Sequence, residues 1–219
     1  MNFNYQKARD LMVENQLRPN KIKELNILNL FRNIEKEKFI PNELKNLSYS
    51  DMDINIREKR GYLKNLHIAQ LIKYADLNKN HKVLHIGALT GYVSTILANL
   101  CNQVYALESD LDLRNIFEIN IQDQKINNIK IIDSDFKDGY ELMAPYDRIF
   151  IDTPISKIDK IIMDQINPNL GKIIMIKKIN INLSQAIIIT NNNNNISQEY
   201  LFDVFSSCEL YKEEKGFEF

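Results

Sequence analysis

The chain has 219 residues, 44% of them hydrophobic and 26% charged, with a formal net charge of −1. That supplies a core for one large domain, or for a domain with an N-terminal extension, and excludes an overall basic field of the kind that gathers nucleic acid. Charges at Lys7, Arg9, Asp10, Glu14 and Arg18 argue against a secretory leader in the opening residues, and no uninterrupted apolar run approaches the roughly 18 residues of a membrane helix.

In chain order, the first apolar pattern places Ala8, Leu11, Met12 and Val13 on one face of a helix over 5–17, which Pro19-Asn20 breaks. A second helix is predicted over 23–34, with Leu25, Leu28 and Phe31 together, and Phe39-Ile40-Pro41 closes that unit. Residues 42–62 carry no period and read as irregular. Their charged run Arg57-Glu58-Lys59-Arg60, with Lys64, is either a solvated loop or a basic rim that steers an acidic substrate. A third helix over 66–74 turns Ile68, Leu71 and Ile72 inward.

From residue 82 strands and helices alternate. Strands are predicted at 83–86, 103–107, 129–133, 147–151 and 171–177, with helices at 91–100, 111–122 and 157–166. Short apolar strands separated by helices predict a doubly wound, mostly parallel α/β sheet. Two more strands, 185–190 and 198–205, have no helix between them and predict an antiparallel pair at the C-terminal edge. The run Asn191 to Asn195 joins them as a solvent-facing loop. A dehydrogenase would instead continue its strand–helix repeats.

Ligands of such sheets sit beyond the carboxyl ends of the strands. The first strand runs into Gly87-Ala88-Leu89-Thr90-Gly91, whose glycines let backbone approach a ligand. Glu108 ends the next strand at about the 20-residue interval expected of an acid that accepts ribose hydroxyls, with Ser109 beside it. Asp135 and Phe136 end the third strand, where an acid can accept from an adenine amino group and a ring can flank it. The cofactor-binding candidates are therefore Gly87, Ala88, Thr90, Gly91, Glu108, Ser109, Asp135 and Phe136. A structural alternative stays open for each acid, helix N-terminal placement for Glu108 and turn or helix capping for Asp135, with the nucleoside roles favoured. Leu89 fills a glycine position, so its side chain either points toward the ligand or forces the turn to negative φ. The histidines, His67, His81 and His85, read as satisfied core or loop residues, although His85 lies in a strand where such sites more often carry an acid. No Ser–His–Asp or Cys–His arrangement and no metal-ligand cluster is visible. Cys101 and Cys208 fit neither a zinc spacing nor a disulfide framework, which predicts a reducing, cytoplasmic setting.

Several segments carry a resemblance that covers nearly the whole chain. They are Met12-Val13-Glu14-Asn15-Gln16-Leu17-Arg18, Lys36 to Pro41, Tyr49-Ser50-Asp51, Val83 to Tyr92, Val104 to Glu108, Asp138-Gly139-Tyr140, Ala144 to Ile149, and Asp164-Gln165-Ile166 with Leu170 to Ile173. In these the sequence resembles the protein-L-isoaspartate O-methyltransferases. The resemblance implies a single methyltransferase-type domain over 1–219, with a helical extension (1–75) over the ligand face of a cofactor-binding core (82–219). It implies S-adenosylmethionine as cofactor and a protein or peptide substrate, without nucleic acid, membrane or metal, in a monomer. The family pattern Thr-Ile-Ser-x-Pro aligns with Gly61-Tyr62-Leu63-Lys64-Asn65, so Leu63 stands for the serine and Asn65 for the proline. The catalytic residues are unknown. An isoaspartyl methyltransferase, an enzyme with another acceptor and a non-catalytic cofactor-binding or interaction scaffold all remain open.

Overall fold

A computed structural model describes residues 3–211. Its centre is a seven-stranded sheet built from β3 (Lys82–Ile86), β4 (Gln103–Leu107), β5 (Ile129–Ile132), β6 (Arg148–Ile155), β7 (Asn169–Lys178), β8 (Ser184–Asn192) and β9 (Asn195–Val204). The order is β5-β4-β3-β6-β7-β8-β9. β5 to β7 run parallel across the sheet, while β8 is antiparallel to β7 and β9 to β8. This is the expected architecture, parallel strands closed by an antiparallel pair, with no further strand–helix repeat among the described residues. All eight residues of β6 are buried, as expected of a strand covered on both faces. Alternate side chains serve two cores: Val83 and Phe150 join one cluster, Leu84, Ile149 and Ile151 the other.

The Asn191 to Asn195 run is the turn between β8 and β9. Asn193 and Asn194 both take positive φ (51° and 65°), which asparagine tolerates better than most residues and which suits a two-residue hairpin. The pairing begins at Asn192↔Asn195, so both strands run further into the asparagines than the sequence suggests.

The helices are α1 (Tyr5–Met12), α2 (Leu25–Asn33), α3 (Asn65–Ala75), α4 (Tyr92–Ala98), α5 (Leu111–Asp123) and α6 (Lys160–Met163). Asn4 starts α1 by accepting from the Lys7 amide, and after Met12 the chain continues through one wider π turn, Val13–Leu17. The helix expected over 157–166 is a single turn, α6. The chain leaves it because Tyr146 and Ile166 pair as an extended bridge, with the Tyr146 amide bonded to Gln165 O and the Asn167 amide to Tyr146 O.

Residues 42–62 are not irregular. A 3-10 stretch (Asn42–Leu47) leads to an antiparallel hairpin of β1 (Ile54–Arg57) and β2 (Arg60–Tyr62). Gly61 permits its close pairing, since a Cβ there would lie 2.2 Å from Ile54 O. The four basic residues are likewise not merely a solvated loop: Arg57 pairs with Asp110 and Asp112, Lys59 with Glu209, Arg60 with Glu108 and Lys64 with Asp51. The N-terminal segments share one apolar cluster with the sheet, from Met12 and Phe31 through Leu89 and Tyr92 to Val204. Among the described residues no helix is long and apolar enough to cross a membrane.

Candidate functional site

The strand order reverses at β3, which lies between β4 and β6, and an open α/β sheet binds ligands at such a switch point. The turn after β3 keeps a left-handed course. Gly87 and Gly91 have φ of 83° and 94°, and Leu89 itself sits at 53°. Leu89 therefore takes neither course expected of it. The turn has not gone to negative φ, and the side chain is buried in the core cluster. Its backbone pays about 1–2 kcal/mol for a conformation that leucine rarely adopts. In return the Leu89 amide is aimed at the site, donating to Glu108 Oε2 at 2.8 Å.

Glu108 is fully buried at the end of β4. Its carboxylate also accepts from the Asp110 amide at 3.0 Å and, through both oxygens, from Arg60 Nη1 and Nη2 at 2.6 and 2.8 Å. A paired, fork-on-fork contact of this kind fixes geometry as well as charge. The Arg60 guanidinium also lies 4.9 Å over the centre of the Phe136 ring. Ser109, Asp135 and Phe136 line a cavity of about 460 Å³ beside it, with Arg60, Lys137 and Leu210 on the other walls. Asp135 Oδ1 accepts from the Lys137 amide at 2.8 Å, which caps the local turn. Leu210 packs against the glycine turn from the same cavity: a Cβ on Gly87 would come within 2.3 Å of Leu210 Cδ1 and 3.6 Å of Arg60 Nη2.

The remaining candidates face inward. Ala88 and Thr90 are buried; the Thr90 hydroxyl bonds to Phe39 O and, at 2.9 Å, to the Tyr62 hydroxyl. Tyr62 in turn accepts from the Tyr92 amide at 3.1 Å. This polar seam ties the N-terminal extension to the glycine turn. Lys36 completes it, buried with Nζ 3.0 Å from Asn65 Oδ1 and 5.6 and 5.4 Å from the centres of the Tyr62 and Tyr92 rings. Burial pushes its ammonium down to about 7, against the pull of Asp53 and Asp152. Leu63 is fully buried, and Asn65 donates to Ser48 O. The two positions where the sequence departs from Ser and Pro are thus built into the core.

One arrangement is invisible in the sequence. His85 Nδ1 is 2.7 Å from Ser94 Oγ, and its Nε2 is 3.0 Å from Asp152 Oδ1. All three are buried, with exposures of 0–5%, and Ser94 itself is fully covered, so the chain of contacts is a satisfied core network rather than a nucleophile with access to substrate. It explains how a histidine replaces an acid in β3: the carboxylate sits one strand away, in β6. The signal for it is Asp152 directly after the apolar run Ile149-Phe150-Ile151 of β6.

A doubly wound sheet with an antiparallel edge, a glycine turn and a buried acid at the next strand end defines an S-adenosylmethionine-dependent methyltransferase of the α/β class. The family model of the protein-L-isoaspartate(D-aspartate) O-methyltransferases matches residues 6–206, and the chain belongs to that family. Similar proteins include protein-L-isoaspartate O-methyltransferase 1 of Syntrophobacter fumaroxidans, 29% identical over 164 residues covering 75% of this chain and 77% of the relative. The protein-L-isoaspartate O-methyltransferase of Methanoculleus marisnigri is 27% identical over 160 residues, 73% of each chain. A solved protein-L-isoaspartate O-methyltransferase superposes with a TM-score of 0.76 at 18% identity, over 93% of this chain and 65% of that one, and shows the shared fold. The methyl donor of the family is S-adenosylmethionine. The wall suits a nucleoside in its chemistry, with a buried acid, a positive-φ glycine turn and an acid–aromatic pair. Two side chains, Arg60 and Leu210, stand in front of that wall.

Proposed function

We propose that this chain methylates a carboxylate of isoaspartyl residues in damaged protein, with S-adenosylmethionine as donor. The observation that carries the reading is the buried Glu108, at the end of β4 beside the glycine turn, in a chain whose family match runs through residues 6–206. In this reading Glu108 and Ser109 accept from ribose hydroxyls, Asp135 and Phe136 hold the adenine, and Gly87, Ala88 and Gly91 bring backbone close. Thr90 contributes through the turn's main chain, its hydroxyl being held by Phe39 and Tyr62. The acceptor is a protein or peptide, and the chain acts as a monomer. Its setting is the cytoplasm, in keeping with two buried free cysteines.

The bound sulfonium supplies an electrophilic methyl carbon. A carboxylate with a pKa near 4 is already ionised at neutral pH, so the chain needs no general base and its task is alignment. The serine that the family pattern places at position 63, beside the methyl group and the substrate carboxylate, is therefore less essential here than in a reaction that must also move a proton, and buried Leu63 lowers the rate rather than ruling out transfer. The same residue favours the second reading, a cofactor binder without transfer, because Leu63 offers the acceptor no hydroxyl.

A radiolabelled methyl-transfer assay on an isoaspartyl peptide beside its aspartyl counterpart separates the two. Label on the isoaspartyl peptide alone, lost in Glu108→Ala, is the expected result. No transfer to either peptide by protein that binds S-adenosylhomocysteine would overturn the repair reading and leave the binder.

A further inference from the structure

The cleft in front of Glu108 and Gly87 is filled from two directions by this chain's own side chains. Arg60 comes from the β1–β2 hairpin, is mostly buried with a side-chain exposure of 16%, and occupies both Glu108 oxygens. Leu210 comes from the segment after β9, is 2% exposed, and rests on the Gly87 side of the turn. A carboxylate that already accepts from Arg60 twice and from two backbone amides has no free direction for a ribose hydroxyl.

The hairpin and the C-terminal strap are also bonded to each other. The Glu209 amide donates to Lys59 O at 2.9 Å, and its carboxylate pairs with Lys59 at 3.1 Å and with Lys178. Cys208 Sγ lies 3.1 Å from Asn55 Oδ1. The strap is anchored across the sheet end by the Leu210 amide, which donates to Pro154 O at 3.1 Å. On its outer side the hairpin is held by Arg57, bonded to Asp110 and Asp112 at the start of α5.

We propose that hairpin and strap form one lid, with Arg60 and Leu210 as its two jaws, and that an adenosyl ligand reaches Glu108 only when they lift together. This rests on the nucleoside-site reading above. The latch is ionic at its surface: Arg57 and Lys59 are half exposed or more, with partners in water's reach. Such pairs are individually weak and screened by salt, which lets the strap and the Lys59-Arg60 tip of the hairpin lift while Ile54 and Tyr62 stay packed in the core. Arg60 on buried Glu108 is the strong element, acting as an internal competitor for the ligand's place. Apparent affinity is then the intrinsic affinity reduced by the fraction of molecules with the lid open.

Hydrogen exchange on the full chain without ligand, and calorimetric titration with S-adenosylhomocysteine, test this in Arg60→Ala and in Leu210→Ala. Because Arg60→Ala leaves Glu108 buried with only amide partners, Leu210→Ala serves as the independent variant should the first fail to fold. Both variants are expected to exchange the Glu209 and Leu210 amides faster by tenfold or more and to bind S-adenosylhomocysteine at least tenfold more tightly than the parent. Binding equal to the parent in both variants, with strap exchange unchanged, would overturn the lid. Faster strap exchange in Arg60→Ala with no binding by any form would support the coupled closure and overturn the adenosyl reading of the site beneath it.

Discussion

Arg9→Ala is expected to lower stability by about 3–5 kcal/mol, the cost typical of removing one partner from a buried ion pair. Arg9 is 3% exposed and Glu37 7%. The guanidinium reaches Glu37 Oε1 at 3.4 Å, the Tyr49 hydroxyl at 3.3 Å and Gln6 Oε1 at 2.7 Å. Tyr49 donates to the other Glu37 oxygen and accepts from the Lys36 amide at 3.1 Å. Burial and the neighbouring Glu37 hold the Tyr49 hydroxyl well above its ordinary pKa. Without Arg9, the Glu37 carboxylate keeps one hydroxyl donor and loses its counter-charge in a poorly solvated place. The double variant Arg9→Met with Glu37→Gln removes both charges and is expected to cost less than Arg9→Ala alone. Urea unfolding of the three proteins measures this; a cost for Arg9→Ala under about 1 kcal/mol would mean that water reaches the pair.

Gly91→Ala is the second large effect. Its φ of 94° disfavours any side chain, and the added Cβ would lie 2.1 and 2.2 Å from Cδ2 and Cε2 of Phe117, itself fully buried on α5. Backbone strain of about 1–2 kcal/mol and overpacking of about 1–3 kcal/mol sum to roughly 2–5 kcal/mol if the ring cannot withdraw. Placing Phe117→Ala in the same chain removes the ring atoms that clash, so the double variant should cost less than the sum of the singles. Additive costs would place the penalty in the backbone alone. A Gly91→Ala protein as stable as the parent would contradict the tight packing of α5 on the turn.

The sheet was legible because each parallel strand is a short apolar run with its own turn, and because the Asn191 to Asn195 run sits where two strands lack a helix between them. Helix ends were less so. The segment 157–166 has helical spacing, yet Tyr146 and Ile166 pair as extended chain, a contact no local pattern announces. The β1–β2 hairpin was hidden by its brevity: its strands have four and three residues, and its charges read as loop. Its three basic residues have partners far along the sequence, Asp110 and Asp112 for Arg57, Glu209 for Lys59 and Glu108 for Arg60. The glycine turn and Glu108 were readable from spacing. What covers them was not, since Arg60 and Leu210 arrive from opposite ends of the chain. Leu89 shows the limit at a single residue: its identity signalled a departure, but only the fold shows that the positive φ is retained and the side chain turned inward.

An adenosyl site at the carboxyl ends of β3, β4 and β5 is open to nuclear magnetic resonance of the ¹⁵N-labelled full chain titrated with S-adenosylhomocysteine. The amides of Gly87, Leu89, Glu108, Ser109, Asp110 and Phe136 are expected to shift together and to saturate, with the Arg60 side-chain resonance moving as its contact with Glu108 is given up. A saturating titration that leaves those amides unmoved, whether or not others respond, would contradict an adenosyl site there.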